Sequence, residues 1–280
     1  MTEISSTRSD RVKMVRSLSG RSARSRTGRF LVEGPQGVRE AVRFAPQSVR
    51  DVYLTAESRD RYREIVADAE AARVYFHVTT PEVLEAMSPD AQGVLAVLDL
   101  PDPGDGPSAA LELALAQSPR LVAVLSNVRD PGNAGAVIRA ADAAGADLVV
   151  LTTNSVDIHS PKVVRSTAGS LFHLPVVTGV PLDEAVAALG LGGLQTLAAD
   201  GVGTHDLDDL LDVAGDAPEG VPDLRAPSAW IFGNEAWGLT EAERGLADAV
   251  VRVPTRGRAE SLNLATAATV CLYASSRAQR

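Results

Sequence analysis

The sequence predicts an α/β protein in two parts, a smaller N-terminal α/β domain and a larger α/β domain built on a mostly parallel sheet. Three observations predict it. Short apolar runs that read as buried strands alternate with segments of helical period along the whole chain. Asp99–Pro107 holds three prolines and two glycines in nine residues, the composition of a linker. Polar side chains crowd the places where a strand ends and a helix begins, above all in Asn127-Val-Arg-Asp-Pro-Gly-Asn-Ala-Gly-Ala-Val-Ile-Arg139, and open α/β sheets bind ligands there.

Taken in order, residues 1–12 are polar and rich in Ser and Thr, and read as a disordered basic tail. Val12–Leu18 suits a short helix, and Ser19–Gly28 a basic Ser/Gly loop. The strands of the first domain, 13–100, fall at 30–34, 49–55, 74–78 and 93–98. Helices are expected at 36–44, 60–72 and 81–88. The linker is placed at 101–118, with a helical pattern at 108–116. The second domain, 119–280, has strands at 121–125, 147–151, 195–199, 229–233 and 250–253. Its helices are expected near 133–144, 161–169, 181–189, 240–247 and 261–277. Pro131-Gly132-Asn133 is turn chemistry, with Asn133 a candidate N-cap. Residues 201–228 read as a surface excursion with a short helix at 206–213.

Composition bounds the function. The 280 residues are 45% hydrophobic, enough for a substantial core, and no run reaches the length of a membrane span. Cys271 is the lone cysteine, so an intrachain disulfide and a Cys-rich metal cluster are excluded; a cytoplasmic protein follows as the default, with Cys271 a small core side chain. The four histidines show no metal spacing, and no metal is expected. The net charge of −9 argues against nucleic acid, but the distribution argues for it. Arg8, Arg11, Lys13, Arg16, Arg21, Arg24, Arg26 and Arg29 stand against Asp10 alone in their stretch. Screening confines each charge to about 10 Å, so a local stripe can bind phosphate on an acidic protein. Arg21, Arg24, Arg26 and Arg29 are therefore candidate RNA contacts, with Arg129 a weaker one, structural or RNA-contacting, as is Asn127. His159, Lys162 and Arg165 either touch RNA phosphate or form a solvated face.

Two further strand ends carry chemistry: Trp230-Ile-Phe-Gly-Asn-Glu-Ala-Trp-Gly-Leu239 and Val251-Arg-Val-Pro-Thr-Arg-Gly-Arg-Ala-Glu-Ser-Leu-Asn-Leu-Ala265. With Asn127–Arg139 they resemble the three ordered motifs of the SpoU/TrmH family of RNA ribose 2′-O-methyltransferases, in the SPOUT superfamily. Val253-Pro254-Thr255 departs from that family's Ile-Pro-Met. Arg29–Gly34 followed by Val38–Val42 resembles the ribosomal-protein-like substrate-binding domain often found before such catalytic domains.

The resemblance implies a deep trefoil knot in the C-terminal domain, a homodimer through that domain, and S-adenosylmethionine as cofactor. Gly233, Val253 and Leu262 fall at cofactor-contact positions, and Gly238 would let backbone approach an adenosine. Arg139 falls at the catalytic position, as base or as phosphate clamp. A guanidinium resists losing a proton, so the clamp is the easier role. Asn133, Glu235, Ser261 and Asn263 fall at the remaining active-site positions; Glu235 could fix Arg139 or the neighbouring loop. The implied substrate is structured RNA, 23S ribosomal RNA ahead of transfer RNA. Some family members confer resistance to ribosome-targeting antibiotics, which the sequence leaves open. A non-catalytic RNA-binding or assembly factor is the other reading. A dehydrogenase or NTPase is disfavoured, because no G-x-G-x-x-G loop or Walker lysine is present.

Overall fold

The computed structural model of the chain describes residues 4–102 and 104–280. They form two compact units. The first takes in the chain up to Asp102 together with Asp157–His173; the second takes in the remainder.

The first unit begins with α1 (Asp10–Ser17), α2 (Arg21–Thr27), β1 (Arg29–Glu33) and α3 (Pro35–Phe44). Next come β2 (Val49–Thr55), α4 (Ala56–Arg61), α5 (Arg63–Ala71), β3 (Tyr75–Thr79), α6 (Pro81–Met87) and β4 (Val94–Asp99). The sheet order is β1-β4-β2-β3, with β4 antiparallel to both neighbours and β2 parallel to β3. Strand alternation divides the core into two layers. Phe30, Val32, Val52, Leu54, Ala96 and Leu98 meet α3 and α5 on one face, whereas Leu31, Tyr53, Leu95 and Val97 meet α1 and α6 on the other.

The second unit contains α7 (Pro107–Leu115), β5 (Leu121–Leu125), α8 (Pro131–Ala144) and β6 (Leu148–Thr152). After α9 (Pro161–Ser166), which belongs to the first unit, follow β7 (Val176–Val180), α10 (Leu182–Leu191), β8 (Gln195–Ala199), β9 (His205–Asp206) and α11 (Leu207–Asp212). The chain finishes with β10 (Ser228–Phe232), α12 (Glu241–Arg244), β11 (Ala249–Arg252) and α13 (Leu264–Ala278). All seven strands are parallel, in the order β7-β6-β5-β10-β8-β11-β9. The last strand is therefore inserted between β8 and β9 rather than added at an edge. α7 and α10 cover one face through Leu111, Ala185 and Leu189. α8 and α13 pack together on β5 and β10. α13 is fixed by a buried hydrogen bond from Trp230 Nε1 to Ser275 Oγ at 2.8 Å. Cys271 is buried in α13, and burial pushes its thiol pKa up. No helix among the described residues is long and apolar enough to cross a membrane.

Several sequence expectations need correction. Residues 1–3 and Pro103 lie outside the described residues, but the rest of the expected tail is structured. Ile4 bridges Thr79, and Ser9 caps α1 by accepting from Val12 N–H. The expected 19–28 loop contains α2. Its buried side chains are Ala23 and Arg24, so no apolar period announces it. The helical pattern expected at 108–116 is α7, and its packing, open in the sequence, is against the second core through Leu111. β7, interrupted by Gly179 and kinked in register, and the two-residue β9 were not expected. The N-cap of α8 is Asp130, which accepts from Asn133 N–H at 2.8 Å; Asn133 lies three positions inside.

Segment 157–173 falls within the expected catalytic domain yet packs in the first unit. Val164 enters that unit's core, His159 lies against Phe30, and Arg165 pairs with Glu33 and Asp90. His159 and Arg165 are thus structural in this chain, not a free phosphate-facing surface. Arg24 is corrected on the same ground. It is 4% exposed, donates to Leu18 and Ser19 carbonyls, and pairs with Asp157 at 2.7 Å, so it is not available to RNA.

Candidate active site

The three central strands of the second unit end in register, with Phe232 beside both Leu125 and Ala199. The chain leaves them as Ser126-Asn127, Gly233-Asn234 and Asp200-Gly201, three polar turns at one edge of a parallel sheet. A cleft of about 760 Å³ opens there. Gly233, Gly238, Glu235, Val253, Ser261 and Leu262 all line it, so residues from two motifs meet in one cavity.

The cleft wall is a backbone hairpin. Asn234 and Gly238 exchange two hydrogen bonds, at 3.1 and 2.9 Å. Gly233 has to be glycine, since a Cβ there would come within 2.3 Å of the Gly238 carbonyl carbon. Gly238 has φ +68, which favours glycine on backbone grounds. Asn234 Nδ2 donates to Asn127 O at 2.7 Å, tying the hairpin to the first motif.

Glu235 reaches the same motif. Its carboxylate accepts from Asp130 N–H at 3.1 Å and Arg129 N–H at 3.4 Å. Of the two partners considered from sequence, Glu235 takes the neighbouring loop and not Arg139. Arg129 lies over the Trp237 ring, 5.5 Å from its centroid, a cation–π arrangement at the rim.

Asn263 caps α13, its Oδ1 accepting from Ala265 and Thr266 N–H, while its Nδ2 donates to Asn133 Oδ1 at 3.0 Å. α13 therefore starts at Leu264, and Ser261 and Leu262 stay in the extended segment that borders the cleft. Arg139 lies on the exposed face of α8. It does not line the cleft, and among the described residues it makes no ion pair. Of the basic residues in the first unit, Arg21 and Arg26 are exposed, and Arg29 lies 3.8 Å from Asp99.

Sequence reasoning missed three residues. Asp200 lines the cleft at the end of β8 and pairs with Arg244 at 3.3 Å, and Arg244 also donates to Leu239 O at 2.5 Å. The available signal was a third strand end followed by Asp-Gly. Glu243 accepts from Ser126 Oγ at 2.8 Å, and from Thr240 N–H and Oγ at 2.8 and 2.9 Å in a capping box. Burial alone would push its carboxyl up. The hydrogen bonds from Thr240, Ser126 and Asn127 outweigh burial and hold it below the usual carboxylate range. One carboxylate thus fastens the loop after β5 to the loop after β10.

The model of the SpoU rRNA methylase family matches residues 120–273, and that of the MRM3-like substrate-binding domain matches residues 9–96. A 23S rRNA (guanosine(2553)-2′-O)-methyltransferase of Bacillus subtilis is 33% identical over 98% of this chain and 98% of its own. A 23S rRNA (uridine(2479)-2′-O)-methyltransferase of Streptomyces viridochromogenes is 30% identical over 91% of this chain and 85% of its own. Among solved structures, the AdoMet-bound rRNA methyltransferase from Sinorhizobium meliloti superposes with TM-score 0.79 at 26% identity, covering 99% of this chain and 97% of its own. The AdoMet complex of the SpoU methyltransferase AviRb from Streptomyces viridochromogenes gives 0.77 at 29%, covering 96% and 98%.

Proposed function

The chain belongs to the SpoU rRNA methylase family, and from that premise we propose that it methylates a ribose 2′-hydroxyl of 23S ribosomal RNA. It is an S-adenosylmethionine-dependent ribose 2′-O-methyltransferase by family. The choice of 23S rRNA over transfer RNA rests on the relatives' substrates and on the substrate-binding domain at residues 9–96. The observation that carries the reading is the cleft itself, where the second and third motifs share one wall at the carboxyl ends of parallel strands.

The residues present fit the cofactor. Gly233 lets the strand end close on the Gly238 backbone, and the cleft sets apolar Val253 and Leu262 beside glycine backbone at Gly201, Gly233 and Gly238, where N–H and C=O groups can read adenine without a charged side chain. Gly233, Gly238, Val253 and Leu262 would hold it. When bound, the cofactor supplies a methyl on a sulfonium, already a good leaving group, so the protein's work is largely positioning.

Arg139 is the phosphate clamp that orients the ribose. Its guanidinium is exposed and unpaired among the described residues, which leaves it available for bidentate contact. A role as base would require deprotonating a group whose pKa exceeds about 12. Glu235 holds the Arg129–Asp130 turn, and Asn263 holds Asn133, so the α8 start is fixed before substrate arrives. Ser261 faces the cleft and orients the ribose.

Because Arg139 does not line its own chain's cleft, the complete site is a homodimer formed through α8 and α13. Tyr273, 46% exposed, spans these helices, its hydroxyl donating to Ala143 O at 3.1 Å, and Val270 is exposed beside it in α13. Arg21 and Arg26 supply phosphate contacts in the substrate-binding domain. The experiment is tritium transfer from labelled S-adenosylmethionine into unmodified 23S rRNA, transfer RNA and RNA-free buffer. Alkali-resistant labelled dinucleotide from 23S rRNA alone is expected; label only in transfer RNA would overturn the substrate assignment.

A further inference from the structure

A second concavity in the catalytic unit, about 540 Å³, has no part in the cleft above. It lies between α11 and the C-terminal end of α13, and Arg225, Arg256, Arg277 and Arg280 all line it. The carboxylates lining it are Asp208 and Asp212. Asp208 is engaged by Arg256. Among the described residues, no carboxylate forms an ion pair with Arg225, Arg277 or Arg280.

Backbone hydrogen bonds fix the segments that carry these exposed arginines. Asp223 Oδ1 accepts from both Gly215 N–H and Arg225 N–H at 2.9 Å, pinning the turn. The Arg225 guanidinium lies over Gly215, where a Cβ would approach Nη1 to 2.6 Å. Arg120 donates to Arg225 O at 3.2 Å, and Gln279 at the end of α13 donates to Ala226 O at 2.9 Å. The fold thus ties two segments together so that four arginines share one cavity with two carboxylates, an excess of positive charge that an entering anion relieves.

We propose that this cavity is a phosphate site for the RNA backbone, on the reverse of the loop that lines the cofactor cleft. The inference rests on the RNA methyltransferase reading. Val253, Pro254 and Thr255 line the cleft, and the next residue, Arg256, lines the arginine cavity. A backbone phosphate held by Arg225, Arg277 and Arg256 therefore restrains the loop that borders the cofactor, and RNA and cofactor strengthen each other's binding. Reciprocity requires equal factors in both directions.

The test measures binding of a 23S rRNA fragment as a function of salt, for the full-length wild type and for Arg225→Gln/Arg277→Gln. Losing one phosphate contact lowers the slope of log K against log salt by about 0.7–0.9. The double variant is expected to show that loss of slope, a roughly tenfold weaker RNA affinity at moderate salt, and no RNA-induced gain in cofactor affinity. Its cofactor affinity without RNA is expected to be unchanged, which also shows that it is folded. Arg225→Lys is expected to keep the slope. An unchanged slope and RNA affinity in the double variant would overturn the proposal. Calorimetry with inorganic pyrophosphate separates the two failures. A wild type that binds pyrophosphate through Arg225 and Arg277, yet neither binds nor methylates RNA, would retain an anion site and overturn RNA as its occupant.

Discussion

Asn263 donates from Nδ2 to Asn133 Oδ1 at 3.0 Å while its own Oδ1 caps α13. One amide therefore joins the first turns of two helices, α8 and α13, that the sequence separates by 130 residues. The two halves of that amide do different work, which makes them separable.

Asn263→Ala removes both halves. It is expected to lower stability by about 1 kcal/mol, the usual cost of a lost N-cap, and to lower methyl transfer severely. Asn263→Asp keeps the cap acceptor and removes the donor to Asn133. Thermal melting should then recover to near wild type while methyl transfer stays depressed. If Asp restores both, the link to Asn133 has no role in activity.

Arg139 gives the converse separation. It is exposed and without an ion pair among the described residues, so Arg139→Ala should leave unfolding within about 0.5 kcal/mol of wild type. Activity should fall by at least about a hundredfold, the scale of losing a charged clamp at a reacting group. Mixing Arg139→Ala with Gly233→Ala protomers tests the dimeric site. Heterodimers pairing an intact cleft with an intact arginine should recover activity, whereas a site completed within one chain would give none.

Gly233→Ala should abolish cofactor binding in calorimetry and destabilise the hairpin. The added Cβ would fall 2.3 Å from Gly238 C and 2.5 Å from Leu239 N, backbone atoms that cannot rotate aside. Overpacking of this kind costs about 1–3 kcal/mol. A variant that binds S-adenosylmethionine normally would place the cofactor elsewhere.

His159 makes stability depend on pH. Burial drives its pKa down to about 4, with Arg24 adding to the fall and Asp157 opposing it. A folded pKa below the unfolded value means the unfolded chain binds the proton first as pH drops. Stability contributed by the neutral ring is full above about pH 6.5 and is lost as pH falls toward the folded value. Between pH 7 and 5 the loss should be about 2 kcal/mol. His159→Gln should remove that component, measured as the difference in urea unfolding at the two pH values. An equal pH loss in the variant would assign the effect to other groups.

Much of the fold was legible because its cores follow simple periods. The alternation of Phe30, Val32 against Leu31, and the unbroken apolar runs of β5 and β10, announce a two-faced sheet and a buried parallel one. Two features that were not legible depend on polar anchors. α2 is anchored by Arg24, and segment 157–173 joins the first unit through the ion pairs of Asp157 and Arg165 as well as through Val164; none of these marks in sequence which unit it packs in.

The site divides in the same way. Gly233, Glu235, Val253, Ser261 and Leu262, singled out by the family resemblance of their motifs, all line one cleft. Which partner Glu235 would take, and that Asn263 would hold Asn133, depends on side chains more than a hundred residues apart. Glu243 was invisible because a capping-box glutamate looks like any other; its reach to Ser126 exists only once β5 and β10 are paired.

The most direct measurement is mass spectrometry of nucleosides from 23S rRNA treated with the protein and methyl-deuterated S-adenosylmethionine. The account predicts the deuterated methyl on a ribose fragment at one nucleotide, present with wild type and absent with Arg139→Ala. A labelled base, or ribose label undiminished by Arg139→Ala, would contradict it.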